Sequence, residues 1–498
     1  MNLRVRPLPF LAMLAFSPAL LAGATPLPRS TPEAQGLPSA AVLAFLNAAE
    51  AKVDSLHSVM ILRHGQVVAE GWWAPYAADV PHQLYSLSKS FTSTGIGLAA
   101  AEGRLKITDP VLQYFPDYAP ADASDNLKAM RIRDLLIMAT GHEQEPSLWD
   151  KDDPWAKSFL AAPVPHKPGT HFLYNSSATH VLAAILQRVT GEGLVDYLQP
   201  RLFTPLGIDR PEWETNAEGI VAGGWGLNLR TEHIAKFGQL LLQQGEWHGQ
   251  QLVPRAWVAE ATARQTSNGS DPTSDWQQGY GYQFWRCRPA QAYRGDGAFG
   301  QFCIVLPEQD AVIAITSGTP DMQAVMNAVW DHLVPAFTAA PLPADAATHA
   351  NLAARLTALT LPPQPAAPVS PRAAAFAGKV YAFAPNEHTP DAVSFTLSSD
   401  GVPTFRLKTG DREQTIACPP GIWTKTRLAL GGRPAQPYAA SGAWTADDTF
   451  TLKLCAYTTP YITTLRLKFA PTELTCDSEL NVAFGPRTHP TQVGTCRP

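Results

Sequence analysis

The chain is poor in charge: 16% of its 498 residues are Asp, Glu, Lys or Arg, and 38 Lys+Arg against 43 Asp+Glu leave a net charge of −5. No long basic run disturbs that balance, so a nucleic-acid surface has no electrostatic footprint. Cysteine is confined to positions 287, 303, 418, 455, 476 and 496, with none in the first half. CxxC and HExxH are both missing, which removes the common zinc spacings. Beyond the N-terminus no apolar run approaches the ~20 residues that a spanning helix needs. A hydrophobic content of 45% excludes disorder as the main state and predicts a large core. The length suggests about three domains.

The first 24 residues read as an export signal. Arg4 and Arg6 supply a positive start, Leu8 to Leu21 a short apolar stretch broken by Pro9 and Pro18, and Ala22-Gly23-Ala24 a small-residue cleavage site. The stretch is too short for an anchor, and no Cys follows it to carry a lipid. A periplasmic or secreted location is therefore expected. In an oxidising compartment the six Cys allow disulfides, with Cys287–Cys303 as the first expected pair and the four late Cys pairing among themselves. Buried free thiols are the alternative.

Residues 28–335 form one region. A helical period covers Ala40 to Ala51, and a hairpin covers His57 to Trp73 with His64-Gly65 at its turn. A mostly helical stretch follows to about Thr266, punctuated at Gly103, Gly141, Gly191 and Gly245. Strands return at Tyr280 to Cys287, Gln291 to Gly297, Phe302 to Leu306 and Ala311 to Ser317, before a last helix, Met322 to Leu333. Strands at both sequence ends with helices between them predict an α/β fold: one antiparallel sheet flanked by helices, with a large helical insertion. Residues 336–372 are rich in Pro and Ala and read as a linker around a short helix. From 373 to 498 the period becomes two, as in Phe450, Leu452 and Leu454 or Leu465, Leu467 and Phe469, which predicts an all-β barrel or sandwich.

Three stretches carry chemistry. Ser86 and Lys89 form an S-x-x-K pair opening a helix rich in Gly and Ala; positions three apart share a helix face, so the amine reaches the hydroxyl. A Ser hydroxyl is a poor nucleophile until a base takes its proton, and a Lys of depressed pKa is such a base. Tyr174 stands at a loop-to-helix junction, in Tyr174-Asn175-Ser176. There a phenol can shuttle a proton, acting as phenolate only where cations lower its pKa of ~10. The third stretch is Arg294-Gly295-Asp296-Gly297-Ala298-Phe299-Gly300. Its G-x-G-x-x-G pattern runs into a strand instead of a helix, which excludes a dinucleotide site, and its Arg-Gly-Asp carries no weight inside a strand. Glycines in a strand instead mark close approach of a backbone or ligand.

These stretches, in this order, resemble the serine β-lactamase/penicillin-binding-protein-like superfamily, in its class C β-lactamase, D-alanyl-D-alanine carboxypeptidase and family VIII esterase branch. Supporting stretches are Ile132 to Gly141, Gly223-Gly224-Trp225-Gly226-Leu227 and Phe237 to Leu242. The resemblance covers about residues 30–335 and implies a β-lactamase-like fold and an acyl-enzyme mechanism. Ser86 would be the nucleophile, Lys89 its proton acceptor or the group that tunes it, and Tyr174 the residue acting in proton transfer to the leaving group and in deacylation. The backbone N–H groups of Ser86 and Ala298 would form the oxyanion hole, worth roughly 3–4 kcal/mol per donor. Ser176, Gly295, Asp296, Gly297 and Trp225 would line the substrate site.

Two departures from the family stand out. Ser176 occupies the place of Asn in Y-x-N, and Gly295-Asp296-Gly297 replaces K-T-G or H-x-G. Without a cation at 295 the usual anchor for a substrate carboxylate is missing, and strand alternation points Arg294 to the other face. A neutral ester or amide is therefore the expected substrate, ahead of a peptide C-terminus and of a β-lactam. No cofactor or metal is expected; His142-Glu143 reads as a loop and Lys151-Asp152-Asp153 as a solvated turn. A binding protein or sensor that does not turn over is the alternative function. For the C-terminal region, a lid or stabiliser beside the cleft is expected over a carbohydrate- or partner-binding module.

Overall fold

The computed structural model describes residues 26–148, 154–367, 369–385, 390–399, 401–430 and 434–496. The export signal and the Lys151-Asp152-Asp153 turn lie outside the described residues. The hairpin expected around His64-Gly65 is present, with β1 at Leu56–Arg63 and β2 at Gln66–Trp72. Both turn residues take positive φ, 50° and 72°, as a tight two-residue hairpin requires. Trp285–Arg286 (β3), Tyr293–Gly297 (β4), Gln301–Leu306 (β5) and Ala311–Ser317 (β6) complete an antiparallel sheet in the order β2-β1-β6-β5-β4-β3. Its first and last segments in sequence thus meet at the centre. The strand expected over Tyr280 to Cys287 shortens to two residues, because Gln283 takes φ 66° and its side chain amide turns away to donate to the carbonyls of Leu135 and Leu136.

Period two in β1, β5 and β6 sends alternate side chains to two different cores. Met60, Leu62, Cys303, Val305 and Val312 face the helical insertion, packing with Phe237 of Thr231–Leu242 and Phe91 of Ser88–Ala101. Val59, Ile61, Ile304, Ile313 and Ile315 face the terminal helices Ser39–Glu50 and Met322–His332. The Pro/Ala-rich segment holds its short helix at Ala346–Thr357, and Leu352, Leu359 and Leu361 pack into this second core.

The C-terminal region is a single sheet of ten strands, β7 to β16: Tyr381–Phe383, Ala392–Leu397, Pro403–Thr409, Arg412–Ala417, Thr424–Leu428, Gln436–Ala446, Thr449–Cys455, Ile462–Phe469, Glu473–Leu480 and Gln492–Cys496. The spatial order is β10-β9-β8-β7-β16-β15-β14-β13-β12-β11. Its two edges curl together, with Gln414 Nε2 donating to Ala429 O at 3.0 Å and Ala429 N donating back to Gln414 Oε1 at 2.6 Å. The result is a near-closed barrel.

The expected disulfides are not formed: no disulfide joins the six cysteines, all of which lie among the described residues. The reasons are geometric. Cys287 packs in the core of the terminal helices, whereas Cys303 packs on the opposite face of the sheet. Cys455 faces outward into the core shared with the terminal helices, whereas Cys418 lies inside the barrel. Cys476 stands opposite Gln492, four residues along β16 from Cys496, or about 13 Å at strand rise, well beyond disulfide reach. Among the described residues no helix is long and apolar enough to cross a membrane.

Candidate active site

Ser86 sits where a two-residue strand, His82–Gln83, turns into a buried helix. A 3-10 turn, Tyr85–Leu87, bends the chain, with Tyr85 at φ 48°, and runs into the helix Ser88–Ala101. Ser88 locks the bend, donating from Oγ to Tyr85 O at 2.6 Å and accepting from Leu227 N at 3.2 Å. Small residues let this helix run through the core: a Cβ on Gly97 would lie 2.4 Å from the Trp257 ring. Ser86 at its mouth stays half-buried.

One turn further on, Lys89 is 1% exposed. Its ammonium hydrogens reach three acceptors: Ser86 Oγ at 3.0 Å, Ser176 Oγ at 3.0 Å and Gly224 O at 2.8 Å. Burial pulls its pKa down to about 7, with Glu145 and Asp296 pulling the other way. The expected Ser86–Lys89 pair is thus in contact, and the hydroxyl of Ser176 provides an acceptor at the position the family fills with Asn. Asn175, the middle residue, is buried and caps the helix Ser176–Thr190, its Oδ1 accepting from Ala178 N at 3.0 Å.

Tyr174 lies beside this pair, its ring centroid 4.8 Å from Lys89 Nζ. Trp285 stacks on it at 5.3 Å and Tyr280 meets it edge-on. Burial holds the phenol well above its ordinary pKa, Asp296 and Glu145 push the same way, and contact with Ser86 opposes them. The phenol is therefore protonated at neutral pH.

The third stretch closes the site from the sheet. Position 295 faces the helix that follows Ser86, where a Cβ would come within 2.2 Å of Leu87 Cδ1; a Cβ on Gly297 would come within 2.0 Å of Leu84 O. A side chain at 295 would have to displace the Leu87 and Ser90 side chains. Arg294 and Asp296 share the opposite face. Arg294 is fully buried, donates from Nε to Asp296 Oδ2 at 2.8 Å, and lies against Trp276 and Trp285. It is committed to Asp296, which in turn adds negative potential near Lys89. Ala298 begins the turn after β4 and is half-buried like Ser86. The turn is braced by Gln301, which donates to Ala298 O at 3.0 Å, and by Ser317 Oγ, which donates to Phe299 O at 2.8 Å.

Trp225 is half-buried and its ring tilts against Trp155 at 5.5 Å, on the same Gly-rich loop whose Gly224 carbonyl holds Lys89. His142 is buried against Phe159, bonded to Thr140 Oγ1 at 2.8 Å, while Glu143 is exposed. The fold gathers Glu143 with His166 and His171, their ligand atoms within 4.8 Å of one another, a group that could hold a cation and that no local spacing announces.

Four contributors were not legible as site residues. Gly224 offers a carbonyl, hinted at only by its glycine pair: a Cβ there would lie 2.9 Å from Ser176 O. Glu145 accepts from Ser176 N at 2.6 Å, 31 residues away in sequence. Tyr461 and Phe484 come from the C-terminal barrel. The Tyr461 hydroxyl bonds that of Tyr85, next to Ser86, and Phe484 packs on Tyr85 and Phe299.

Known proteins agree with this architecture. Over 284 residues the chain is 28% identical to a 6-aminohexanoate-dimer hydrolase of Paenarthrobacter ureafaciens, covering 53% of this chain and 72% of that one. A D-aminopeptidase of Brucella anthropi is 28% identical over 168 residues, 31% of this chain and about a third (32%) of the relative. Among solved structures, a Bacillus anthracis protein provisionally assigned as a 6-aminohexanoate-dimer hydrolase superposes with a TM-score of 0.53 at 20% identity, over 62% of this chain and 87% of its own, a likeness of fold. The family model described as Beta-lactamase matches residues 33–334, more than half of the chain, and the protein belongs to that family.

Proposed function

We propose that the protein is an exported serine hydrolase that cleaves a neutral ester or amide through an acyl-Ser86 intermediate, with carboxylester or amide hydrolysis favoured over DD-peptidase and β-lactamase activity. The observation that carries this reading is the buried Lys89 amine, held 3.0 Å from Ser86 Oγ with a pKa near 7. Half of such amines are neutral at neutral pH, so Lys89 accepts the Ser86 proton as Oγ attacks the substrate carbonyl carbon. The carbonyl π pair moves onto oxygen, where the N–H groups of Ser86 and Ala298 receive it. As the tetrahedral centre collapses, the Tyr174 phenol protonates the departing alcohol or amine, and the Lys89 ammonium returns a proton to Tyr174. Water then attacks the acyl-enzyme by the same proton path in reverse. A phenol held neutral suits Tyr174 to the role of acid and leaves that of base to Lys89.

The commitment of Arg294 to Asp296 supports the neutral-substrate preference, since neither position 294 nor 295 offers a free cation to a carboxylate. The activities named for the two relatives, a dimer hydrolase and an aminopeptidase, agree with the hydrolytic class. The test is intact mass after exposure to a fluorophosphonate and, separately, to a penicillin, beside Ser86→Ala. An adduct with the fluorophosphonate that vanishes in the variant is expected. A stable penicillin adduct would move the reading to a penicillin-binding enzyme, and rapid penicillin turnover to a β-lactamase. No adduct from either reagent in folded protein would favour a non-hydrolytic binding protein.

A further inference from the structure

The barrel is filled at one end only. Phe395, Trp444, Phe450 and Phe469 interlock at ring separations of 5.2 to 5.9 Å and plug the end remote from the sheet Leu56–Ser317. At the other end, an apolar cavity of about 900 Å³ remains inside the strands. Phe383, Leu407, Leu454, Leu465, Tyr461 and Phe484 are among its walls, interspersed with polar side chains such as Thr463, Ser478, His489 and Gln492. Its size falls at the upper end of the roughly 300–1,000 Å³ of small-molecule sites, and a barrel of eight or more strands is wide enough to hold one ligand.

The open end faces the catalytic region. The loop joining β13 to β14 is bonded to the segment that carries Ser86: Gln83 N donates to Thr458 O at 2.9 Å and Tyr76 Oη to Thr459 O at 2.8 Å. From the other side Asn481 Nδ2 donates to Gly318 O at 2.9 Å, and Gly318 must be glycine, because a Cβ would lie 2.4 Å from Pro460 O. Tyr461 and Phe484 line the cavity and also contact Tyr85 and Phe299, the residues adjoining Ser86 and Ala298. Phe484 is 76% exposed, an apolar ring left in water where the cavity wall meets Tyr85 and Phe299.

We infer that the barrel cavity binds an unbranched apolar chain, the acyl or alkyl tail of the molecule whose ester or amide head reaches Ser86. The chain-binding half of this inference stands on the cavity; the reacting head rests on the Ser86 reading. A free fatty acid has the same chemistry as such a tail, so the experiment has two arms.

In the first, cis-parinaric acid is titrated into the full-length Ser86→Ala protein. Saturable binding of one probe per chain, displaced by dodecanol, is expected, as is binding weakened about tenfold or more by Leu454→Trp, whose indole fills the cavity. Thr463→Phe, on the same wall, is run in parallel, and a photoreactive dodecanoate on the unmutated barrel maps the labelled peptides should both variants misfold. In the second arm, kcat/KM for p-nitrophenyl dodecanoate is compared with that for the acetate. The dodecanoate-to-acetate ratio is expected to fall about tenfold or more in the filled variants. Probe binding with an unchanged ratio would overturn the tail assignment and leave a site for a free chain. Failure of the folded protein to bind the probe, or labels mapping outside residues 381–496, would overturn the inference entirely. Probe binding without ester turnover or fluorophosphonate labelling would instead overturn the Ser86 reading and uphold the chain site.

Discussion

In the six-stranded sheet every residue of Leu56–Arg63 and of Ala311–Ser317 is buried, whereas only two of the eight residues of Ile462–Phe469 are. The first sheet is covered on both faces by helices, so its side chains are fixed from both sides. Apart from Gln436–Ala446 and Thr449–Cys455, whose Ala439 and Cys455 pack into the core of the terminal helices, the barrel strands meet solvent on one face and a partly filled lumen on the other. The Ser86–Lys89–Tyr174 group sits against the first, and empty volume sits in the second. Burial on two faces suits a catalytic frame, and burial on one leaves room for a ligand.

The largest expected effect belongs to the first region. Lys89→Met keeps the stem and removes the amine, so kcat/KM for an ester is expected to fall roughly 10²–10⁴-fold. In the unmutated protein the base must be neutral to act, so kcat/KM rises with pH through about 7 and levels off above it. A rate profile flat from pH 6 to 8 in steady-state kinetics would remove Lys89 from the role of base. No barrel substitution is expected to move that midpoint.

Stability separates the regions next. Ile313 is fully buried between Ile61 and Ile304, and Ile313→Ala is expected to cost about 2–5 kcal/mol in denaturant titration, because helices on that face leave little room to collapse.

The seam between the regions carries a pH dependence. His57 Nδ1 and His82 Nε2 lie 2.9 Å apart, fully buried under Tyr76, and His57 Nε2 meets Ser55 Oγ at 2.8 Å. Burial lowers both imidazoles, His82 to about 4. The unfolded chain binds protons near 6.5 and the folded one does not, so the stability present above pH 6.5 is lost as pH falls from there toward 4. For His82 alone this is on the order of 3 kcal/mol. Thermal melts from pH 7.5 to 4.5 should show the decline, and His82→Gln should flatten part of it.

Local signals were legible and distant ones were not. The S-x-x-K pair announced itself because one helical turn brings Ser86 to Lys89, and the hairpin because His64-Gly65 fits a tight turn. The β4 glycines signalled close approach, and Leu87 and Leu84 provide it. Alternation is local and points Arg294 away from 295; the same alternation puts Asp296 on the face of Arg294, but their ion pair depends on burial that no spacing encodes. The disulfides failed because even count and compartment do not encode which face of a sheet each Cys occupies. Glu145, Tyr461 and Phe484 reach the site through tertiary packing, which no spacing records.

The smallest effect is the sharpest test of the comparison. Leu465 pairs with Leu452 on the neighbouring strand, borders the cavity and is only half-buried. Truncating it opens little new surface, because the void already exists, and the cost reduces to the partial transfer of a few carbons, about 1 kcal/mol or less. Leu465→Ala measured beside Ile313→Ala by urea titration should therefore show a several-fold smaller loss. Equal losses would mean that the lumen closes around Leu465 in solution, and the contrast between a filled frame and a hollow barrel would fail with it.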